Sequence, residues 1–130
     1  MEDKQTSRTR PDILVVEDER IYYEWLKFMW PEPNFTWVDN GKKAVNEIME
    51  RCHYDAIIMN VKMPVMNGFE ATPEIRKLHY QRPIIGWSAH MKAVAEQACL
   101  HVGMNIFVER QGRDLGVGEI VAYLKDEHLL

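Results

Sequence analysis

Five short apolar runs recur along the chain, at residues 13–16, 35–38, 56–59, 83–87 and 106–108. Each is too short for a buried helix and rich in β-branched or aliphatic side chains, which marks buried strands. Between them lie segments whose apolar residues return at helical spacing. Strands alternating with helices force βαβ crossovers, which are right-handed and place helices on both faces of a parallel sheet. In a chain of 130 residues this pattern predicts one α/β domain. Its expected form is a flavodoxin-like doubly wound five-stranded parallel sheet, strand order 2-1-3-4-5, with five helices.

The helices are expected over 20–30, 42–51, 68–80, 91–102 and 119–125. Pro31 stops the first, and Tyr22, Trp25, Leu26 and Met29 form its inward stripe. Ala44, Val45, Ile48 and Met49 are read as the inner face of the second, and Val94, Ala95, Ala98, Cys99 and Val102 as that of the fourth. Pro73 is placed early in the third, where a missing N–H costs least. The strand at 35–38 is assigned to a sheet edge. Residues 1–11 are polar and mixed in charge and read as a disordered lead-in, leaving 12–130 as the domain.

Composition excludes several classes. The net charge is −4 and no run of Lys or Arg occurs, so neither a nucleic-acid surface nor an anionic-membrane surface is expected. No apolar stretch is long enough to cross a bilayer, and no secretory signal opens the chain. Cys52 and Cys99 show no framework spacing and read as free thiols of a cytoplasmic protein. The Cys99–His101 pair reads as packing rather than a zinc site.

Reaction sites in open α/β sheets gather at the carboxyl ends of the strands. Here those ends carry Glu17 and Asp18, Asn60, Ser88, and Arg110. Two adjacent carboxylates repel unless something positive compensates them. Taken alone, Glu17-Asp18-Glu19 reads as acidic charge at a helix start. Beside Asn60 on a second strand tip, the reading as a divalent-metal site gains weight.

The stretch from Asn60 through Met63, Pro64 and Gly68, with Phe69-Glu70-Ala71-Thr72, Ile75-Arg76, Ser88-Ala89 and Gly103-Met104-Asn105, resembles the receiver domains of response regulators, above all those of hybrid histidine kinases. The resemblance runs from Ile13 onward. It implies Mg²⁺ held by Glu17, Asp18, the strand-tip Asp and the backbone carbonyl of Lys62. It also implies phosphoryl contacts from Ser88 and from a Lys at position 110, with Phe107 moving alongside Ser88. Three positions depart from it. Asn60 stands where the family has its phosphorylated Asp, and a neutral amide cannot form an acyl phosphate. Arg110 stands where the family has Lys, and a forked guanidinium is not a point-like ammonium. Gln111 replaces the proline that usually follows in cis, so a trans bond is expected.

The expectation is a degenerate receiver, or pseudo-receiver: a phosphorylation-independent signalling and protein-interaction module, not an enzyme, whose Mg²⁺ binding is weakened or absent. Arg110 is expected to reach Glu17 or Asp18. The alternative is a phospho-accepting receiver of a two-component phosphorelay in which Asn60 replaces the acceptor. A small metal-dependent α/β enzyme is a third class, without an evident activated nucleophile beside Glu17 and Asp18. Asn40–Gly41 and Asn67–Gly68 read as more labile to deamidation than Asn60, which precedes β-branched Val61. Ile21 and Phe28 exceed what covering a sheet requires; they read either as a wider buried stripe or contact with the last helix, or as a partner-binding face, to which they are assigned. The expected partner is a histidine kinase or phosphotransfer helical bundle.

Overall fold

A computed structural model describes residues 10–90 and 92–127. The strands are β1 (Asp12–Val16), β2 (Asn34–Val38), β3 (Ala56–Met59), β4 (Ile84–Ser88) and β5 (Ile106–Glu109). The helices are α1 (Arg20–Met29), α2 (Gly41–Glu50), α3 (Gly68–Lys77), α4 (Lys92–Val102) and α5 (Val117–Asp126). All four strand pairings are parallel, and the order is β2-β1-β3-β4-β5. The expected lead-in lies outside the described residues over 1–9. Pro11 is not part of a loose tail. It is buried, and its carbonyl accepts the Asn34 N–H at 2.9 Å, extending the β1–β2 ladder.

Strand periodicity divides the core in two. Leu14, Val16, Ile57 and Met59 face one side, under α2, α3 and α4. Ile13, Val15, Ile58, Ile85 and Trp87 face the other, under α1 and α5. The buried run of β3 is continuous because both faces are covered. β2 alternates between exposed and half-buried, as an edge strand does.

Three helical faces are narrower than periodicity alone suggests. Met29 is exposed at the end of α1, and Trp30, just past the helix, is buried in its place. Met49 is 65% exposed, and α2 buries Ala44, Val45 and Ile48 instead. On α4 only Ala95 and Cys99 are buried, while Val94 and Ala98 face out. Successive residues step 100° around a helix, so a helix resting on a flat sheet buries little more than one row. Pro73 lies inside α3, past its first turn. No cis peptide bond occurs among the described residues.

Two caps bring the loops to the site. The Asn40 side chain accepts the Lys43 N–H at 2.9 Å, and Asn67 and Glu70 form a reciprocal capping box. Gly41 N–H donates to the Met66 carbonyl at 2.9 Å and Gly68 N–H to the Val61 carbonyl at 2.8 Å. The backbone nitrogens that deamidation would need are thus held in hydrogen bonds at both sites, as is the Val61 N–H after Asn60. A Cβ on Gly68 would collide with the Asn60 carbonyl, so only glycine lets α3 begin directly beneath the β3 tip.

Candidate functional site

The strand order sets the tips of β1, β3, β4 and β5 side by side, and with them Glu17, Asn60, Ser88 and Arg110. All four are buried or half-buried. The carboxylate oxygens of Glu17, Asp18 and Glu19 lie within 4.8 Å of one another and could together hold a cation.

The centre of the cluster holds the Asn60 amide. Its Nδ2 donates to Asp18 Oδ1 at 3.1 Å and to the Lys62 carbonyl at 3.1 Å, with Glu17 Oε2 at 3.5 Å. An amide has two N–H bonds, so the long third contact is the weak one. Asn60 Oδ1 accepts the Val61 N–H at 2.9 Å. That bond fixes the amide's orientation. Turned over, the oxygen would face two carboxylates and a carbonyl, and the NH₂ would face another donor.

Glu17 is fully buried. It accepts from the Arg110 guanidinium in an ion pair and from the Glu19 N–H at 3.0 Å. Burial pushes its carboxyl up to about 7, against the downward pull of Arg110 and the Glu19 N–H. Its backbone is tied in as well. The Glu17 carbonyl accepts the Trp37 indole N–H at 2.7 Å, and its N–H donates to Val38 at 3.0 Å. The Arg110 side chain is only 4% exposed. Its guanidinium sits over the rings of Tyr22 and Trp87.

A cavity of about 300 Å³ opens over this network, with Asn60, Lys62, Ser88, His90 and Arg110 in its wall. Ser88 Oγ lies 2.9 Å from His90 Nδ1. Phe107 is fully buried and does not reach the cavity. Its ring and the Met104 sulfur occupy the space that a side chain at Gly86 would need. Ile21 and Phe28 lie away from this cluster, 68% and 75% exposed, and border a separate apolar groove of about 350 Å³ with Tyr22, Trp25 and Leu115. Cys99 and His101 form no site: the thiol is buried, and its pKa is pushed up to about 11 by that burial, while the imidazole is exposed.

Sequence reasoning placed the strand-tip residues and missed three contributors. His90 gave no signal beyond its distance of two residues from Ser88. Tyr22 and Trp87 were legible only as core. Their shared contact with Arg110 depends on the sheet order and on the position of α1.

Residues 13–117 match the family described as "Response regulator receiver domain". The chain belongs to that family. Among relatives, the receiver is 35% identical over 86 residues to "Autoinducer 1 sensor kinase/phosphatase LuxN" of Vibrio campbellii, covering 65% of the chain and 10% of that protein. It is 30% identical over 132 residues to "Hybrid signal transduction histidine kinase B" of Dictyostelium discoideum, covering 90% of the chain and 6% of that protein. The chain thus spans a tenth or less of the length of these two relatives. Among solved structures, the receiver domain of the histidine kinase CKI1 from Arabidopsis thaliana, complexed with Mg²⁺ and BeF₃⁻, superposes with a TM-score of 0.74 at 24% identity, over 89% of this chain and 90% of that one. A receiver is a two-component signalling module rather than an enzyme in its own right, and the family includes Mg²⁺-binding members. Among the described residues, no helix is long and apolar enough to cross a membrane.

Proposed function

We propose that this receiver is degenerate and signals through protein binding, without aspartyl phosphorylation. The observation that carries the reading is the Asn60 amide nitrogen. It donates to Asp18 and the Lys62 carbonyl and approaches Glu17, the three groups that the family resemblance assigns to Mg²⁺. Their lone pairs face N–H bonds, and Glu17 is further committed to Arg110. Mg²⁺ demands near-octahedral oxygen ligands, and here an amide N–H stands where an anionic oxygen ligand would, leaving the Glu17, Asp18 and Glu19 carboxylates as an impoverished cation site. Mg²⁺ binding is therefore weak or absent, and no step of the mechanism runs through it. The amide also cannot attack phosphorus.

The protein performs its role as a preformed surface. Its partner is a histidine kinase or a phosphotransfer helical bundle, a reading supported by the kinase relatives and by the exposed apolar residues Ile21 and Phe28 on α1.

The retained Ser88 and acidic pair favour a second reading, a phosphorelay receiver lacking only its acceptor. Intact mass after incubation with a small phosphodonor and Mg²⁺ separates the two. The unmodified chain should gain no phosphoryl group, and Asn60→Asp should gain little, because Arg110 still holds Glu17. Strong Mg²⁺-dependent labelling of Asn60→Asp would establish the second reading, and such labelling of the unmodified chain in this pocket would overturn both.

A further inference from the structure

The Arg110 guanidinium lies in a corner of two rings. Its Cζ is 3.9 Å from the centre of Tyr22 and 4.2 Å from that of Trp87. The two rings are 6.3 Å apart and nearly perpendicular, at 82°. Both distances are well inside the range of a cation–π contact, which strengthens when the cation is desolvated.

Each wall of the corner is itself anchored. Trp87 is buried on β4, and its indole N–H donates to the Leu115 carbonyl at 2.7 Å. Tyr22 projects from α1, which is packed on the same face of the sheet. Backbone pairing adds a third restraint, since Arg110 N–H donates to the Ser88 carbonyl at 2.8 Å. Among the described residues, the Arg110 guanidinium donates to Glu17 alone, and its buried Nε meets no acceptor. The remaining faces of the guanidinium are therefore held by rings rather than by hydrogen bonds.

We propose that Tyr22 and Trp87 are positioning residues that lock Arg110 onto Glu17, making it a fixed internal counter-cation that does not follow an oxyanion placed in the cavity. This rests on the reading of the site as degenerate and extends it. Arg110 lines the cavity, so an unrestrained side chain would be free to turn toward an anion there. A planar cation is what such a corner can grip, whereas the strongly hydrated ammonium of lysine offers no flat face.

The test follows the Arg110 Nε–Hε resonance of the full ¹⁵N-labelled chain while inorganic phosphate is added without Mg²⁺. In the unmodified protein, ring currents should displace the resonance from the position of an exposed arginine, and phosphate should leave it there. Tyr22→Leu and Trp87→Leu should return it toward the exposed position. They should also raise the population of released guanidinium about ten-fold, as the loss of one desolvated cation–π contact allows, so that the resonance then follows phosphate. Tyr22→Phe keeps a ring and should behave as the unmodified chain. If Trp87→Leu fails to fold, the half-exposed Tyr22 pair decides the matter alone. A saturable shift of Arg110 with phosphate in the unmodified chain overturns the proposal. So does an unmoved resonance in Tyr22→Leu, which would leave Tyr22 as packing only. Mg²⁺-dependent labelling of the pocket with Arg110 still immobile would refute the degenerate reading while leaving this one standing.

Discussion

Arg110 and Glu17 form a buried pair, and such pairs cost more to break than they contribute intact. Arg110→Met should therefore destabilise the domain by about 3–5 kcal/mol above neutral pH, because it leaves a desolvated carboxylate without its cation. The pH dependence has a definite sign. Burial raises Glu17 from 4.5 to about 7. Between those values the folded state holds a proton that the unfolded state has released, so the Glu17 contribution is complete below the lower value and is lost as pH rises through the upper one. Removing Arg110 deletes the largest influence pulling that value down. The stability gap between the unmodified chain and Arg110→Met should accordingly be larger at pH 8 than at pH 5, as read from urea unfolding midpoints. A gap independent of pH would show that Glu17 is not the group left exposed to the loss. The strand-tip residues Glu17, Asn60, Ser88 and Arg110 were legible from sequence, whereas His90, Tyr22 and Trp87 were not. The direction of the Asn60 amide was not, because it follows from the Val61 N–H and from three acceptors on two loops.

At the scale of elements, α1 is the informative case. Its pattern correctly singled out Ile21 and Phe28 as surplus to the core, yet it also assigned Met29 inward, where Trp30 is buried instead. The helix ends at Met29, so the chain leaves helical geometry just before Trp30 and turns that ring onto Phe35. Periodicity cannot see past the last turn. Met49 and Val94 differ: both lie inside their helices and face water because a helix on a sheet buries little more than one row. Phe28→Glu should shift the unfolding midpoint by no more than the roughly 0.5 kcal/mol of an ordinary surface change, while abolishing pull-down of a helical-bundle partner. A large loss of stability would place Phe28 in the core, and intact pull-down would remove α1 from the docking surface. The strands were easier to read, because a run buried on both faces leaves no ambiguity of face.

For the molecule as a whole, the order β2-β1-β3-β4-β5 was readable from the alternation of elements, since handedness leaves few other ways to cover both faces. A ligand that binds only the folded state stabilises it in proportion to the logarithm of its occupancy. Millimolar Mg²⁺ should therefore leave the thermal midpoint of this receiver unchanged. Asn60→Asp should be less stable without Mg²⁺ and recover with it, because it gathers three carboxylates around one arginine. A midpoint of the unmodified chain that rises with Mg²⁺ would show that the amide yields to the metal. The amide at the centre of the site also bears on time. An acyl phosphate is a bond that hydrolyses, so a receiver carrying one has a lifetime written into its own chemistry. Under the proposed function, a signal passed by this surface has no such clock. It lasts as long as the complex does, and its duration is a dissociation rate set at the interface, adjustable by a single contact.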